Sequence, residues 1–549
     1  MDKTLSNNVK YDPASVAGKQ PPVADETDLL IVGAGSAGIA AALSAAGKGL
    51  RVTLVDENPV PIETMGAEIP LHFGGRMGAV VANRNAVFET MLDTASELGE
   101  ALEVGVDVRL GTAVWGLFPQ RATAAWIDGC VAGLADDDRT YLLRFRQVIV
   151  ASGQRDMGLA FDGWERPGVM GASAAYRLAT TYGALDSKTA VLVGSGTASL
   201  QIGNALADKG VKIAAVVEQG SAIKGDETLL ARLESQGARV FTGHVVRQAV
   251  GDAYGVKAVV LTSIDSCGKH IPQTEQRIEC DTVLLGIASI PAIELLEAVG
   301  CATAFQAERG GHVALVDANQ RTSLPFVFAA GDCAGTWGRK SSSSEVAKRE
   351  GRIAAAAALQ AFGVESSIEE PVVPDSFQGD AGQDRCAWVR ASVVEAQGEP
   401  YVCQCEEVTA AEILEVRPPR YLEWEPRDEK VHTRGIAGLA CDGPPNPDIV
   451  KRLTRASMGP CQGRRCREQV AALLSIESGT PLPQVPLATF RAPVRPLALK
   501  QLATLEEAPG TAEHWDSWFH IASQWVPFWQ STPPYTAAGR QQRGPVASE

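Results

Sequence analysis

The chain has no long apolar run and no excess of positive charge. No uninterrupted apolar stretch reaches the roughly 20 residues that are needed to cross a bilayer, and residues 1–27 lack the apolar segment of an export signal. The formal net charge of −15 argues against nucleic acid as a partner, because nucleic-acid-binding surfaces concentrate Lys and Arg. We therefore expect a cytoplasmic chain with a flexible N-terminal tail.

The sequence also lacks the patterns of side-chain catalysis. No Cys-x-x-Cys pair is present, which excludes disulfide reduction by a local dithiol. The seven histidines are dispersed and show no Ser/His/Asp order or metal-ligand spacing. The eleven cysteines are not expected to form disulfides in a reducing compartment. We therefore predict cofactor ligands and no catalytic residue.

Apolar residues and glycine are abundant instead. The chain is 45% hydrophobic and 21% charged, and it contains 54 glycines, a composition that is typical of a globular α/β protein with many tight turns. Its 549 residues exceed the size of one ordinary core. We expect two to four domains, on the order of one per 100–200 residues.

A first glycine-rich loop follows a strongly apolar strand near the N-terminus. Gly33 permits the tight turn, Gly35 lets the backbone approach a pyrophosphate, and Gly38 lets helix and strand touch. Asp56 ends the following strand, where its carboxylate can accept hydrogen bonds from a ribose diol. The residues predicted to bind a dinucleotide here are Gly33, Gly35, Ser36, Gly38, Asp56 and Glu57.

Two later segments favour FAD over NAD in this first fold. Residues 322–332 resemble the second FAD fingerprint of flavoproteins that have two dinucleotide domains, and residues 148–153 resemble the strand that leaves their FAD domain. The resemblance assigns Gly153, Gly331 and Asp332 to the cofactor site. An ordinary strand end with a polar cap is the alternative at Asp332.

A second glycine loop has the pattern Gly-x-Gly-x-x-Ser. Gly194, Gly196 and Ser199 form it, and Glu218 closes the next strand. By position the segment resembles the NAD(P)H domain of thioredoxin-reductase-like enzymes, in which Glu218 would repel a 2′-phosphate and favour NAD. Its occupant stays open between NAD, another adenine nucleotide such as ATP, and nothing.

Four cysteines form two close pairs near the C-terminus. Cys403 and Cys405 make a Cys-x-Cys pair, and Cys461 and Cys466 are separated by four residues. Four convergent thiolates can hold zinc or an iron–sulfur cluster, and a chain predicted to carry flavin favours the cluster. The surrounding sequence resembles the [2Fe-2S] domain related to bacterioferritin-associated ferredoxin, with Cys441 as a bystander.

These segments predict an α/β fold with two Rossmann-like domains, similar to glutathione and thioredoxin reductases, and a small helical [2Fe-2S] domain. The predicted ranges are a flexible tail (1–25), the first half of an FAD domain (26–158), an inserted NAD(P)-like domain (159–275), the second half of the FAD domain (276–363), a linker (364–400), the [2Fe-2S] domain (401–475) and a C-terminal extension (476–549).

Over about residues 26–498 this order is similar to the large accessory subunits of opine dehydrogenases, hydrogen cyanide synthase and heteromeric proline or hydroxyproline dehydrogenases. The resemblance implies an oxidoreductase of CH-NH or CH-NH2 donors, in which a separate beta subunit oxidises the amine at its own flavin. Electrons would then pass through an interfacial flavin, such as FMN, and the [2Fe-2S] centre to a downstream carrier. A small ferredoxin-like subunit is a further expected partner.

Two other functions stay open. A self-contained NAD(P)H-dependent ferredoxin- or nitrite-type reductase would need Glu218 and the second loop to bind nicotinamide. A scaffold with purely structural nucleotide domains would be colourless. His72 and Arg76 are candidates to approach a flavin ring or to pack in a loop, and the aromatic residues between 515 and 529 suit docking to a partner or membrane surface, or packing.

Overall fold

The first glycine loop leaves a parallel sheet at its carboxyl edge. The computed structural model describes residues 20–59, 84–120, 127–374, 380–423, 434–504 and 508. The sheet contains β2 (Leu29–Val32), β3 (Val52–Val55), β4 (Asp107–Arg109), β8 (Gln147–Val150) and β21 (Val327–Ala329). Its order is β21-β8-β2-β3-β4, with every pairing parallel. Parallel strands covered on both faces are apolar throughout, and β2 is entirely buried.

Small residues bring two helices together behind the glycine loop. Helix α1 (Ser36–Ala45) follows the loop, and α9 (Ser344–Ala361) packs across it with a face of buried alanines. A Cβ at Gly351 of α9 would overlap the carbonyl oxygen of Ala37, so this crossing requires glycine. The remaining helices of this domain are α2 (Arg84–Thr94), α3 (Ser96–Glu103), α7 (Glu294–Val299) and α8 (Gly338–Ser342).

A second, mostly antiparallel sheet flanks the first domain. It has the order β1-β7-β6-β5 and contains β1 (Val23–Glu26), β5 (Ala113–Pro119), β6 (Cys130–Ala135) and β7 (Thr140–Phe145). Strand β1 pairs in parallel with β7 and therefore begins inside the range predicted as a flexible tail. The tail prediction is wrong from Val23 onward, and residues 1–19 of the predicted tail lie outside the described residues.

The second glycine loop belongs to its own parallel sheet, as expected. This sheet has the order β10-β17-β11-β12-β13. Its strands are β10 (Val169–Gly171), β11 (Thr189–Val193), β12 (Lys212–Glu218), β13 (Arg239–Thr242) and β17 (Thr282–Leu285), and its helices are α4 (Ala172–Thr180), α5 (Thr197–Asp208) and α6 (Glu227–Ser235). An antiparallel sheet of β14 (His244–Asp252), β15 (Gly255–Ser263) and β16 (Gln276–Glu279) packs beside it.

Strand β17 corrects one sequence-based assignment. The apolar segment 281–286 was expected to resume the first fold, yet β17 pairs in parallel with β10 and β11 of the second sheet. The boundary predicted at residue 276 therefore falls inside the second fold. An apolar run identifies a buried parallel strand but carries no information about which of two similar sheets receives it.

Two short strands join the two folds. Strand β9 (Gln154–Asp156) continues from β8 and pairs with β18 (Ser289–Pro291), which returns from the second fold. A further hairpin of β19 (Thr303–Gln306) and β20 (Gly311–Ala314) follows α7. The chain thus crosses between the folds directly beyond the carboxyl edge of the first sheet.

The cysteine pairs lie in a mainly helical module that packs on the second fold. Its elements are β22 (Tyr401–Cys403), β23 (Val408–Thr409), α11 (Ala410–Leu414), α12 (Ile436–Asp442), α13 (Pro447–Thr454) and α14 (Arg467–Ser478), with α15 (Leu499–Leu502) further on. Apolar residues of the module, including Val402, Ile413 and Val470, share one core with strands β11 and β12.

The predicted linker contains a buried helix. Helix α10 (Ala381–Val389) lies within the range 364–400, is capped by Asp380, and buries Trp388 to 1% exposure against the same core. The linker prediction was therefore wrong from residue 380 onward. The Glu- and Pro-rich residues before it dominate the local composition, whereas α10 has little amphipathic pattern of its own.

Some sequence-based expectations fall on other parts of the chain. His72, Arg76 and the aromatic residues between 515 and 529 lie outside the described residues. Within the described ranges, no helix combines the length and apolar character that a bilayer span requires.

Candidate cofactor sites

The glycines of the first loop have distinct steric roles. Gly33 has φ +108°, and a Cβ there would overlap the carbonyl oxygen of Ala151. A Cβ at Gly38 would overlap the carbonyl oxygen of Gly33, whereas a Cβ at Gly35 would meet nothing within 4 Å. Gly33 and Gly38 are therefore required by the fold itself, while Gly35 leaves open space in front of the helix N-terminus.

These roles predict different outcomes for two matched alanine variants. We expect Gly38→Ala to lower the free energy of unfolding of the ligand-free protein by ~1–3 kcal/mol, the usual cost of an overpacked site. Urea denaturation measures this loss. Gly35→Ala should leave the stability of the ligand-free protein within ~0.5 kcal/mol but weaken FAD retention, because its methyl group would face the space in front of the loop. Equal destabilisation by both variants would contradict this distinction.

Asp56 lies at the rim of the glycine loop. Its carboxylate accepts hydrogen bonds from the backbone N–H of Ala34 at 2.6 Å and of Asn58 at 2.8 Å. The next residue, Glu57, forms an ion pair with Arg495. The carboxylate predicted to meet a ribose is thus fixed beside the loop that is predicted to meet the pyrophosphate.

A cavity of about 410 Å³ opens at the carboxyl edge of the first sheet. This edge is where open α/β sheets bind ligands. Of the residues predicted from sequence, it is lined by Gly33, Gly35, Asp56, Glu57 and Gly153. Residues that the sequence did not point to, namely Arg155, Asp156, Ser173 and Arg177, line it as well.

Gly331 is held by a buried ion pair, and neither Gly331 nor Asp332 lines this cavity. Lys340 is fully buried, donates to the carbonyl oxygens of Gly331 and Gly335 at 2.7 and 2.8 Å, and pairs with Glu350 at 2.7 Å. Glu350 in turn accepts from the backbone N–H of Gly331 at 2.8 Å. Burial raises the pKa of Asp332. The sequence analysis did not identify Lys340 and Glu350. They reach Gly331 from helices α8 and α9, which no local sequence pattern indicates.

At the second glycine loop, the carboxylate of Glu218 is bonded to residues of the protein itself. Glu218 is 1% exposed and accepts hydrogen bonds from the Ser195 hydroxyl at 2.7 Å and the Gly220 N–H at 2.9 Å. Lys224 pairs with the same carboxylate at 2.8 Å and also with Asp384 of α10.

The segment after β12 folds back over the loop residues. A Cβ at Gly225 would come within 2.6 Å of the Ser195 carbonyl oxygen and 2.7 Å of the Thr197 nitrogen. Ser199 donates to the carbonyl oxygen of Gly286 and therefore packs the helix onto β17. None of Gly194, Gly196, Ser199 and Glu218 lines the cavity described above.

The four cysteines of the two pairs converge. The sulfurs of Cys403 and Cys405 are 3.9 Å apart, those of Cys405 and Cys461 are 3.5 Å apart, and Cys466 is hydrogen-bonded to Cys403. Tetrahedral thiolate ligation at about 2.3 Å places neighbouring sulfurs about 3.8 Å apart. Within the described ranges, however, no group of three or more His, Cys, Asp or Glu side chains is arranged so that it could hold a metal ion.

The surroundings of the sulfurs suit thiolate ligands. Hydrogen bonds among the sulfurs lower the pKa of Cys405 and Cys466 and raise the pKa of Cys403 and Cys461. A Cβ at Gly459 would overlap the sulfur of Cys405, so the backbone approaches the sulfurs directly. The thiolate is the form that binds metal, and the lowered pKa values favour it at two of the four positions. Cys441 is exposed and stays apart from them.

The loop between Cys461 and Cys466 also forms a wall of the cavity at the first glycine loop. Arg464 and Arg465 of this loop line the cavity, and burial lowers the pKa of Arg465 to about 10. Arg155 of β9 donates to the carbonyl oxygen of Arg464 at 3.1 Å. Sequence patterns could not place these two arginines beside the first fold, because the contact of Arg464 with Arg155 joins residues about 300 positions apart in the chain.

Arg155 ties the same wall to two buried carboxylates. It pairs with Glu468 of α14 at 3.0 Å and also with Glu294 of α7. Glu294 and Glu468 are both less than a tenth exposed, so the pairs are largely shielded from solvent. A buried ion network fixes side-chain geometry more reliably than it adds stability. The cysteine loop is therefore fixed against the first fold.

Residues 27–361 match the pyridine nucleotide-disulphide oxidoreductase family, and residues 428–505 match the sarcosine oxidase A3 domain. The chain belongs to the pyridine nucleotide-disulphide oxidoreductase family. Membership in this family, which matches both dinucleotide folds, supports FAD as a cofactor and confirms the predicted α/β architecture and an oxidoreductase role.

Relatives of this oxidoreductase chain confirm the resemblance inferred from its motifs. It is 28% identical to an opine oxidase subunit of Agrobacterium tumefaciens (strain Ach5), over 88% of this chain and 92% of that one. It is 28% identical to hydrogen cyanide synthase subunit HcnB of Pseudomonas aeruginosa, over 80% and 90% of the two chains. The alpha subunit of sarcosine oxidase from Corynebacterium sp. (strain P-1) is 25% identical over 94% of this chain and 50% of that one.

The fold of this family member also resembles a solved structure. The L-proline dehydrogenase from P. horikoshii superposes with a TM-score of 0.55 at 18% identity, covering 88% of this chain and 81% of that one. At that identity the likeness establishes the fold alone. The superposition extends well beyond the 27–361 match and so includes residues of the cysteine module.

Proposed function

We propose that this chain is the electron-transfer subunit of a multi-subunit amine or amino-acid dehydrogenase and carries FAD and a [2Fe-2S] cluster. Electrons enter from the flavin of a partner subunit that oxidises a CH-NH or CH-NH2 donor, and they leave through the cluster to a downstream acceptor. The chain itself binds cofactors and contributes no residue to the amine site. We also propose that the chain is cytoplasmic, as expected from its sequence.

The observation that carries this proposal is the loop that the two cofactor sites share. Cys461 and Cys466 bound the loop, and Arg464 and Arg465 between them line the cavity in front of the first glycine loop. A dinucleotide bound in this cavity would therefore lie next to the cysteine module, which forms one wall of the cavity. Short separation between redox centres is what an electron relay requires, and a storage or scaffold role would not need it.

The proposed ligands follow from the two sites. FAD would be held in the cavity by Gly33, Gly35, Asp56, Glu57 and Gly153, and the proposed FAD site also includes Ser36, Gly38, Gly331 and Asp332, which lie outside the cavity lining. The cluster would be held by Cys403, Cys405, Cys461 and Cys466. When bound, the cluster supplies one-electron chemistry next to the flavin. The buried guanidinium of Arg465 offsets the negative charge of the thiolates, since its pKa is influenced by three of them.

The names of the relatives support a hetero-oligomer. The opine oxidase, hydrogen cyanide synthase and sarcosine oxidase relatives are all named as subunits. By analogy, we propose that a beta subunit carries the amine-oxidising flavin, that FMN lies at the interface, and that a small ferredoxin-like subunit or another electron acceptor completes the complex. An adenine nucleotide, NAD or ATP, in the second fold at Gly194, Gly196, Ser199 and Glu218 remains part of the proposal.

The proposal is tested by anaerobic purification of the chain together with the products of its neighbouring genes. We expect flavin and iron–sulfur absorbance, about two iron atoms per chain, and reduction of a dye acceptor by an amine or amino acid. Iron-free protein that still transfers electrons from the amine to the dye would contradict the relay. A colourless complex would instead favour a structural scaffold.

A second candidate function, an NAD(P)H-dependent reductase, depends on the second glycine loop. Because Glu218 is already bonded to Ser195 and Lys224, we expect the purified chain to show no bleaching of its flavin by NADH under anaerobic conditions. Reduction by dithionite in the same cuvette is the positive control. Rapid bleaching by NADH, at rates of about 1 s⁻¹ or more as in ordinary enzymes, would favour the reductase instead.

A further inference from the structure

The order of strands sets the direction in which a dinucleotide lies across the first fold. Adjacent strands β8, β2 and β3 lead to Gly153, Gly33 and Asp56 respectively. With its ribose at Asp56 and its pyrophosphate at the glycine loop, a dinucleotide extends its second half past the end of β8. This step rests on the proposed function, in which the cavity holds FAD. Residues of β9 line the cavity at this end and would border the flavin half of the bound FAD.

Asp156 lies in the cavity wall at this end. It is the last residue of β9, and its carboxylate accepts hydrogen bonds from both the backbone N–H of Ser173, at 3.0 Å, and the Ser173 hydroxyl. A Cβ at Gly171 would overlap the carboxylate, so glycine allows this close approach. The side chain is therefore held by the start of α4 while it borders the cavity.

We propose that Asp156 exchanges the proton that accompanies reduction and reoxidation of the FAD. When the FAD accepts two electrons from the reduced flavin of the partner subunit, the O–H bond of the Asp156 carboxyl breaks and an N–H bond forms at N5 of the isoalloxazine. When the two electrons leave one at a time for the cluster, the proton returns to the Asp156 carboxylate. As long as Asp156 starts the cycle protonated, the cycle takes up no proton from solvent at this site.

The environment of Asp156 suits this exchange. Burial raises the pKa of Asp156 to about 6, although Ser173 and Ala174 donate hydrogen bonds that lower it. A group that gives and takes a proton acts best when its pKa is near the operating pH. Among the described residues, the other charged groups that face the cavity are Arg155, Arg177, Glu294, Arg464, Arg465, Arg495, Glu57 and Asp56. Of these, Arg177 of α4 acts to lower the pKa of Asp156.

The midpoint potential of the FAD as a function of pH tests the proposal. In the full chain with its partner, the Asp156 carboxyl is protonated below about pH 6 and charged above it. Above that point Asp156 has no proton to give and the proton must come from solvent, so the potential should fall more steeply with pH there. Asp156→Asn, which keeps a hydrogen-bond acceptor for Ser173, should show no such change of slope.

Two further variants separate a proton role from a structural one. Ser173→Ala removes a hydrogen bond to the charged carboxylate, so the pKa of Asp156 rises and the change of slope should move to higher pH. Glu297→Gln is the matched control, because burial raises the pKa of Glu297 to about 7 but its side chain does not line the cavity. This variant should keep the wild-type curve.

The outcomes distinguish this proposal from the function on which it rests. If flavin is bound and Asp156→Asn and Ser173→Ala both keep the wild-type slope, the proton role is overturned while the relay stands. If Gly35→Ala keeps the wild-type flavin content, the flavin is not held in front of the first glycine loop. Both proposals then fall together. If Asp156→Asn loses flavin, Ser173→Ala decides between the two outcomes. A change of slope at higher pH supports the proton role, and an unchanged curve overturns it.

Discussion

Replacing Cys461 by Ser should remove the iron from the chain and stop electron delivery while FAD stays bound. The change is nearly isosteric, so the loop that carries Arg464 and Arg465 keeps its place on the cavity wall. One ligand of four is lost, and changes beyond the ligand shell already cost about 10–100-fold in metal affinity or activity. We expect dye reduction to fall by more than ~100-fold on this scale. Iron analysis and visible spectra of anaerobic protein measure both effects.

Cys441→Ser is the matched control for this experiment. Cys441 lies in the same module but is exposed, and its thiol is hydrogen-bonded only to the carbonyl oxygen of Ala437 at 3.4 Å among the described contacts. We expect full iron content and unchanged electron delivery. If Cys461→Ser kept its iron, or if only zinc were found in the wild type, the iron–sulfur assignment would be wrong and the sulfurs would form a structural site.

Replacing Lys340 by Met should give the largest loss of stability among single changes near the FAD site. Lys340 and Glu350 are 0% and 2% exposed, and removal of one partner leaves a buried carboxylate without its counter-charge. Breaking such a pair costs about 3–5 kcal/mol. Burial already raises the pKa of Glu350, and loss of the lysine would raise it further. Urea denaturation of the FAD-loaded and FAD-free protein measures the loss.

The stability of Lys340→Met should also depend on pH with a definite sign. A carboxyl whose pKa is raised on folding is favoured in its protonated form, so the variant should be more stable below the folded pKa of Glu350 and less stable above it. Lys348→Met on α9, the helix that carries Glu350, removes a partly exposed pair with Glu97 and should cost no more than ~1 kcal/mol. The double variant Lys340→Met/Glu350→Met should recover most of the loss. A loss below ~1 kcal/mol for Lys340→Met alone would contradict this account.

The first glycine loop could be predicted from sequence because its determinants are local. Gly33, Gly38 and Asp56 lie within one strand–helix–strand unit, and each answers to a steric or hydrogen-bonding rule that does not depend on the rest of the chain. The convergence of the cysteines could also be anticipated, since pairs spaced this closely favour a shared ligand.

The remaining features depend on contacts between distant segments. The sheet that receives β17 is decided by pairing with β11, and the helix α10 is stabilised by a core assembled from three parts of the chain. Arg155 contacts Arg464 across about 300 residues. Glu218 is a case in which a local pattern was misleading. Its position after the second glycine loop favours contact with a nucleotide, whereas its partners in the fold are Ser195 and Lys224.

The wall that Arg464 and Arg465 form has a consequence for how the protein matures. A chain whose cysteine module has already docked offers an incoming dinucleotide a narrower entrance than one whose module is still undocked. If the cavity holds FAD, as we propose, we therefore expect flavin to enter more readily before the module docks than afterwards, and a chain whose module is displaced should lose its flavin faster.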